Sequence, residues 1–552
     1  MEASAAEASG QSERTGSRTQ SDRRQDGPTK PSLKRAANMK TKKKKKKRPR
    51  LSTTNPLGYT VHQGEDMLFL ISSSASHSGD SVWIPNTKRS KKKKVVKGKL
   101  KARAKPKRKI QPVIKEEKDT NTIVPKKDPR WGQSLPEEVL INIFKMVVVQ
   151  DGAVPFLCRV GRVCRLWNAA ASSPVLWRKV TIGHCWIAPG KSQLPKTEKK
   201  ITDTLNWLAQ NRFSQLRDFS LCHWKKNVDY ALEVVSQFSP HLGSIKLSFC
   251  SGLTTKAFQS LGQHSRSLNS INLQESEFQV EGFLEYLENH GSQMKQLLFT
   301  RGVKNNRILT TVSKGHCPDL ELLEVNNKLD SKQCELPLCL QALQRACPKL
   351  KTFRMLNVTP MHKTKSNAAD STPGFPLLEE LCIASTSYSY MTDKDLWDIL
   401  FDSTRLRVLD LRGCSRITPS GLAALPCTEL ECLFWAQYFS SHVGMPSLKT
   451  GLHMVTQKWS RTLQQLDIAN QVFSEEDMEM AMSCLAQAAE ADMLRSLNLS
   501  GTRITPRALR PVIEQMTALD YLNLSSCRYL PRGMKTIYRG QKEIRQLLDK
   551  LE

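Results

Sequence analysis

The chain has 552 residues, 84 Lys and Arg against 52 Asp and Glu, and a formal charge of +32. That length exceeds one ordinary globular domain and predicts several domains or one long repeat array. No run of 18 apolar residues occurs and no secretory signal opens the chain, so the expectation is a soluble intracellular protein with no membrane role.

The charge is uneven along the chain. Residues 1–130 hold 35 basic and 12 acidic residues, a net of +23, and the remaining 422 residues carry only +9. This first segment is low-complexity and poor in large apolar residues, so it cannot bury enough surface to offset its ordering entropy and is expected to be disordered. Two basic runs, "KKKKKKRPR" (42–50) and "KRSKKKKVVKGKLKARAKPKRK" (88–109), stay extended by self-repulsion. They read as importin-binding nuclear signals, with nucleolar retention through weak, non-specific RNA contact, or simply as a solvating tail. No aromatic residues interleave with the lysines, which argues against sequence-specific nucleic-acid recognition. An apolar island, "YTVHQGEDMLFLI" (59–71), reads either as a partner-binding segment or as a collapsed patch. "IKEE" (114–117) places Lys115 in a pattern that resembles a sumoylation acceptor.

"SLPEEVLINIFK" (134–145) then reads as a helix start, with Ser134 as cap, Pro136 in the first turn and two carboxylates behind it. Leu135, Val139, Leu140, Ile143 and Phe144 fall at helical spacing. "MVVVQDGAVPFL" (146–157) reads as a long apolar turn. Val160, Val163, Cys164 and Trp167 suggest a second helix, and "SSPVLW" a third, ending in Leu176 and Trp177. Three short helices in so few residues lie near the lower limit of independent stability and need a partner surface.

From residue 216 onward the chain repeats. "LRDFSL" (216), "LGSIKL" (242), "LNSINL" (268), "MKQLLF" (294) and "LELLEV" (320) start 26 residues apart, and the pattern returns at 350, 378, 406, 430, 463, 494 and 519. In L-x-x-L-x-L the last two apolar residues share one face of a short strand. About 20 residues of helical periodicity follow, as in "TPSGLAAL" and "TPRALRPVIEQM". One such unit cannot bury its apolar edge, but a stack can, which predicts an α/β leucine-rich-repeat solenoid of about twelve units, closed by a C-terminal cap helix. Two insertions break the period, "TPMHKTKSNAADSTPG" (359–374) and "YFSSHVGMPSLKTG" (438–451), and both read as loops.

Cys250, Cys414 and Cys527 each lie three residues after the last strand leucine, where a small buried group can satisfy loop backbone. With "CPDL" and "CPKL" before strands and "RIT" after them, the array resembles the cysteine-containing class of leucine-rich repeats, frequent in F-box proteins. "LPEEVLINIF … VCRLW … SSPVLW" likewise resembles the F-box, over roughly 131–178. The resemblance implies that Leu135, Pro136, Glu138, Val139, Leu140, Ile143, Phe144, Val163, Cys164, Trp167, Leu176 and Trp177 bind a Skp-type adaptor, and through it a cullin–RING scaffold. The whole is similar to the F-box/leucine-rich-repeat substrate receptors of SCF ubiquitin ligases, which would mark protein substrates for proteasomal degradation. On this reading the domains are the tail (1–130), the F-box (131–178), a linker and solenoid cap (179–215) and the repeats (216–552).

No catalytic motif, cofactor motif or metal-spaced Cys/His pair is present, so a non-catalytic protein with no cofactor is expected. Cys334 and Cys339 fit no repeat position and are expected to be buried in a helix. The unidentified protein substrate is expected on the strand face of the solenoid, with Asp410, Arg412, Phe434, Asn498, Tyr521 and Asn523 exposed there. The strand-face charges, Lys246, Arg354 and Arg412 against Asp218, Glu324, Glu380, Asp410 and Asp467, sum to −2 and argue against a nucleic-acid grip. A nuclear scaffold without ligase role is the alternative reading.

Overall fold

The computed structural model describes residues 59–63, 69–73, 135–154, 156–183, 195–328, 334–362, 374–386, 389–438, 448–487 and 493–551. The basic runs, Ser134, Lys115 and the expected disorder of the tail lie outside them. The chain divides into two compact units, 1–103 and 104–552. In the first, β1 (Tyr59–Gln63) and β2 (Phe69–Ser73) pair antiparallel, Tyr59 opposite Ser73, so both ends of the apolar island are strands.

The second unit opens with α1 (Glu137–Asp151), α2 (Phe156–Val160), α3 (Arg165–Ser172) and a 3₁₀ turn over Pro174–Trp177. Here α1 runs six residues beyond the expected stop and absorbs the first half of the presumed apolar turn. It ends at Gly152, whose φ of 82° reverses the chain. The second helix also departs from expectation. The chain turns at 161–164 and restarts a helix at Arg165, so Val160 and Trp167 belong to different helices.

A 14-stranded sheet follows. Its strands are β3 (Lys179–Ile182), β4 (Asp218–Cys222), β5 (Ser244–Ser248), β6 (Ser270–Leu273), β7 (Gln296–Thr300), β8 (Leu322–Asn326), β10 (Thr352–Leu356), β12 (Glu380–Cys382), β13 (Val408–Asp410), β14 (Cys432–Phe434), β15 (Gln465–Asp467), β16 (Ser496–Asn498), β17 (Tyr521–Asn523) and β18 (Ile537–Arg539). The twelve strands from β4 to β17 stand at the twelve places that the leucine spacing predicts, and they run parallel to one another. The sheet gains one strand at each end. β3 comes from the stretch expected to be linker and cap, and β18 pairs antiparallel with β17 ahead of a short helix at Gln541–Arg545. β9 (Glu335–Leu338) and β11 (Thr359–His362) form a separate parallel pair, so the first insertion begins as a strand.

Register explains why this works. Ile245, Ile271, Leu297, Leu323, Phe353, Leu381, Leu409 and Leu433 stack strand upon strand and are almost fully buried. Helices supply the other half of the core, and their starts are capped by sequence-local chemistry. Thr254, Thr392, Thr418, Ser474 and Thr505 each accept a backbone N–H at an N-terminus, and Pro419 and Pro506 follow two of them. Neighbouring units are tied at these caps. Asp229 accepts from the Thr254 backbone N–H at 2.8 Å and from its hydroxyl, and Asp393 repeats the arrangement with Thr418. The repeat cysteines do the same on the strand side. Cys250, Cys414 and Cys527 donate to the carbonyls of Leu221, Ile383 and Leu499 in the preceding unit, at 3.5, 3.5 and 3.1 Å. No described helix is long and apolar enough to cross a membrane.

Candidate functional site

Two surfaces matter: the outer face of α1 with its neighbours, and the strand face of the sheet.

On α1 the apolar residues split into two stripes. Leu140 and Phe144 face inward, and Phe144 packs edge-on against Phe156 (5.7 Å) and Trp167 (5.4 Å). Leu176 and Trp177 are also core. Trp177 donates its indole N–H to the Ala171 carbonyl at 2.8 Å, and its ring lies 6.2 Å from Phe213, just ahead of the first repeat. These four residues therefore build the domain and join it to the repeats, and they offer no surface to an adaptor. The second stripe is outward. Val139, Ile143, Met146 and Val149 are exposed, Met146 and Val149 by 72 % and 78 %. Val163, 62 % exposed, and Val175 are exposed too. Pro136 and Glu138 are exposed, while Leu135, Cys164 and Trp167 are half-buried. Met146 and Val149 went unassigned in the sequence because they fall in what reads there as a loop. Met146 stands three residues after Ile143, and Val149 three after Met146, a helical spacing that would have found them.

The strand face departs further from expectation. Asp410, Arg412 and Phe434 are buried. Asp410 accepts from the Arg412 backbone N–H at 3.2 Å and from its guanidinium Nε at 2.9 Å, and the guanidinium lies over the Phe434 ring at 5.3 Å. The three satisfy one another and present nothing to a partner. Asn498, Tyr521 and Asn523 are half-buried. Asn498 and Asn523 accept from the backbone N–H two residues on, Ser500 at 3.2 Å and Ser525 at 3.0 Å. Asn272 and Asp467 do likewise with Gln274 and Ala469. A carboxamide or carboxylate at this place therefore closes the turn that ends the strand.

Other strand-face charges are also internal. Arg354 forks onto Glu380 (2.6 and 3.0 Å) and reaches Glu324 at 3.1 Å, and Gln274 donates to Glu324 at 2.6 Å. All four side chains are buried. Burial pushes the Glu380 carboxyl up, and Arg354 pulls it only partly back. Burial works against the Arg354 cation, but Glu380 and Glu324 more than offset it. Three of the predicted strand-face charges, Arg354, Glu324 and Glu380, are thus paired with one another between units and not open to a partner.

No group of His, Cys, Asp and Glu among the described residues can hold a metal. Burial pushes the thiols of Cys317, Cys347 and Cys414 up to about 12, the opposite of an activated nucleophile. Cys334 is buried just before β9, and Cys339 is exposed just before the helix Leu340–Ala346, so neither sits inside a helix as expected.

Residues 133–183 match the F-box-like family model, and residues 402–425 match a Leucine Rich repeat model. The chain therefore joins an F-box-like domain to leucine-rich repeats. Among solved structures it is similar to one described as "Structure of the Toll - Spatzle complex, a molecular hub in Drosophila development and innate immunity". Identity is 15 %, the TM-score is 0.33, and the match covers 58 % of this chain and 37 % of that one. The chain thus spans little more than a third of the length of the solved chain it matches.

Proposed function

We propose that this chain, an F-box-like domain followed by leucine-rich repeats, is the non-catalytic substrate receptor of an SCF-type ubiquitin ligase. The observation that carries the reading is the exposed stripe of α1, Val139, Ile143 and Met146, with Val163 and Val175 also exposed in the same domain. Such an exposed apolar helix face on a small domain marks a protein interface. A Skp-type adaptor would cover it and link the chain to a cullin–RING scaffold. The repeats would hold a protein substrate, and ubiquitin transfer would follow from proximity to the loaded conjugating enzyme, with no chemistry by this chain. The basic runs at 42–50 and 88–109 would carry the protein to the nucleus through importin, with weak RNA contact favouring the nucleolus, and Lys115 would accept a modifier. A nuclear scaffold without ligase role shares the tail but leaves the stripe without purpose.

The test is co-purification of the adaptor with the full chain. Ile143→Asp with Met146→Asp places charge in the stripe without touching Leu140 or Phe144. Adaptor binding should fall at least a hundredfold while thermal unfolding stays unchanged. Undiminished binding sinks the reading.

A further inference from the structure

Two residues after the last apolar strand position, the backbone enters the left-handed region in unit after unit. Asn357, Gly413, Asn470 and Gly501 stand there with φ of 56°, 87°, 58° and 71°, and Gly and Asn adopt this conformation at little cost. In the first three repeats the same place holds His223 (φ 61°), Phe249 (φ 55°) and Glu275 (φ 56°), and in the last it holds Ser526 (φ 62°). The turn of the repeat imposes this conformation whatever the residue, and a bulky ring there is strained. Burial does not compensate: Phe249 is 52 % exposed and His223 is exposed. Their rings instead stack on each other, 4.8 Å between centres and 4° from parallel. The pair forms a flat aromatic ledge at the end of β4 and β5.

The strand face beside the ledge differs from the rest of the sheet. Thr181, Ser220, Ser244 and Ser248 leave it low and rich in hydroxyls. Lys246 stands among them, exposed, opposite Ser220 and Asn272 in the register. Arg354 and Arg412 are held by buried carboxylates, whereas Lys246 makes no ion pair among the described residues. Lys225 and exposed Lys226 follow the ledge, Lys226 lying 3.9 Å from Glu198. Asp218 on one side and Glu275 and Glu277 on the other bound the patch.

We propose that His223, Phe249 and Lys246 form a docking site for a peptide segment of another protein, one that sets an aromatic side chain on the ledge and an anionic group on Lys246. Charge complementarity selects this occupant. The ledge offers stacking, the lysine and hydroxyls offer a seat for a carboxylate or a phosphate, and the flanking acids repel a longer acidic run. The site rests on the receptor reading, in which it is where the substrate first binds.

The experiment is selection of a random peptide display library on the full chain, followed by titration of fluorescein-labelled selected peptides. The parent should enrich peptides that pair an aromatic residue with an acidic one. His223→Asn with Phe249→Asn installs the residue that later repeats use at this place, so melting should not fall while affinity falls at least tenfold. Lys246→Gln should weaken acidic peptides at least fivefold and leave their Gln analogues unaffected. Tighter binding of a phosphoserine analogue assigns the seat to phosphate, and tighter binding of the glutamate form assigns it to a carboxylate. No enrichment, undiminished affinity in the variants, or stronger binding of a single-stranded RNA oligonucleotide that the same variants abolish overturns the proposal. Adaptor co-purification is read in parallel. If the variants keep the adaptor while the parent shows no peptide preference, only this site fails. If the parent binds the peptides but no adaptor, only the receptor reading fails.

Discussion

Arg354 holds two buried carboxylates from neighbouring strands, and its value lies in what its loss would expose. Arg354→Met should cost about 3–5 kcal/mol in chemical denaturation, because Glu324 and Glu380 would be left buried and unpaired. Adding Glu324→Gln and Glu380→Gln should restore most of that loss; if it does not, packing and not charge explains the effect. Lys449 poses the inverse case. Its ammonium donates to the Ile417 carbonyl at 2.8 Å and lies 4.4 Å from the centre of the Trp435 ring. Burial pulls its pKa down to about 8, with Asp393 and Cys414 opposing. Between pH 8 and about 10.5 the unfolded chain therefore holds a proton that the folded chain has released, so this group's contribution to stability rises with pH across that window. The stability difference between the parent and Lys449→Met should grow in the parent's favour from pH 8 to 10; a constant difference would show that the ammonium is not buried. Residue roles were the least legible level of the sequence. Asp410, Asn498 and Asn523 read as surface polar groups because nothing in the leucine pattern reveals a bond to the N–H two residues on. The i to i+2 turn chemistry of Asn and Asp was the signal available.

At the scale of elements, helical spacing identified α1 but could not decide which of its two apolar faces was the core, since Leu140 and Val139 satisfy the same periodicity. Only the aromatic cluster around Phe144 settles it. Strands were more legible, because L-x-x-L-x-L fixes both their place and their inward face. What the aligned units conceal until register is known is a line of side chains along the leading edge of the sheet. Lys295, Glu321, Lys351, Glu379, Arg407 and Glu431 occupy one position in six successive strand entries, each N–H bonded to the carbonyl of the residue before it in the line. Their signs alternate. Glu321 bridges Lys295 (3.1 Å) and Lys351 (3.0 Å), and Arg407 meets Glu431 at 3.2 Å. Exposed pairs of this kind are individually weak. Glu321→Lys, which sets three cations in a row, should nevertheless cost about 0.5–1 kcal/mol at low salt and less in 1 M salt. A loss that salt does not relieve would argue for a packing role.

For the whole molecule, the repeats behave as a stack whose stability lies at the junctions. Leu409→Ala should leave a cavity costing about 2–5 kcal/mol. Hydrogen exchange should accelerate in the units around β12 and β14 as well as in its own, and an effect confined to β13 would contradict junction-dominated stability. The leucine period revealed this architecture, as it must where one motif recurs at every layer. It was blind to β3 and β18, which lack the motif and close the two ends of the sheet by pairing and by burying Val180, Ile182 and Tyr538. The alternating edge carries a consequence for how such an array changes length. Removing the one unit that carries Glu321 would set Lys295 against Lys351, like beside like. Removing two would set Lys295 against Glu379 and leave the order of signs intact. Along this stretch the solenoid counts its units by parity, and it can be lengthened or shortened without electrostatic penalty only in twos.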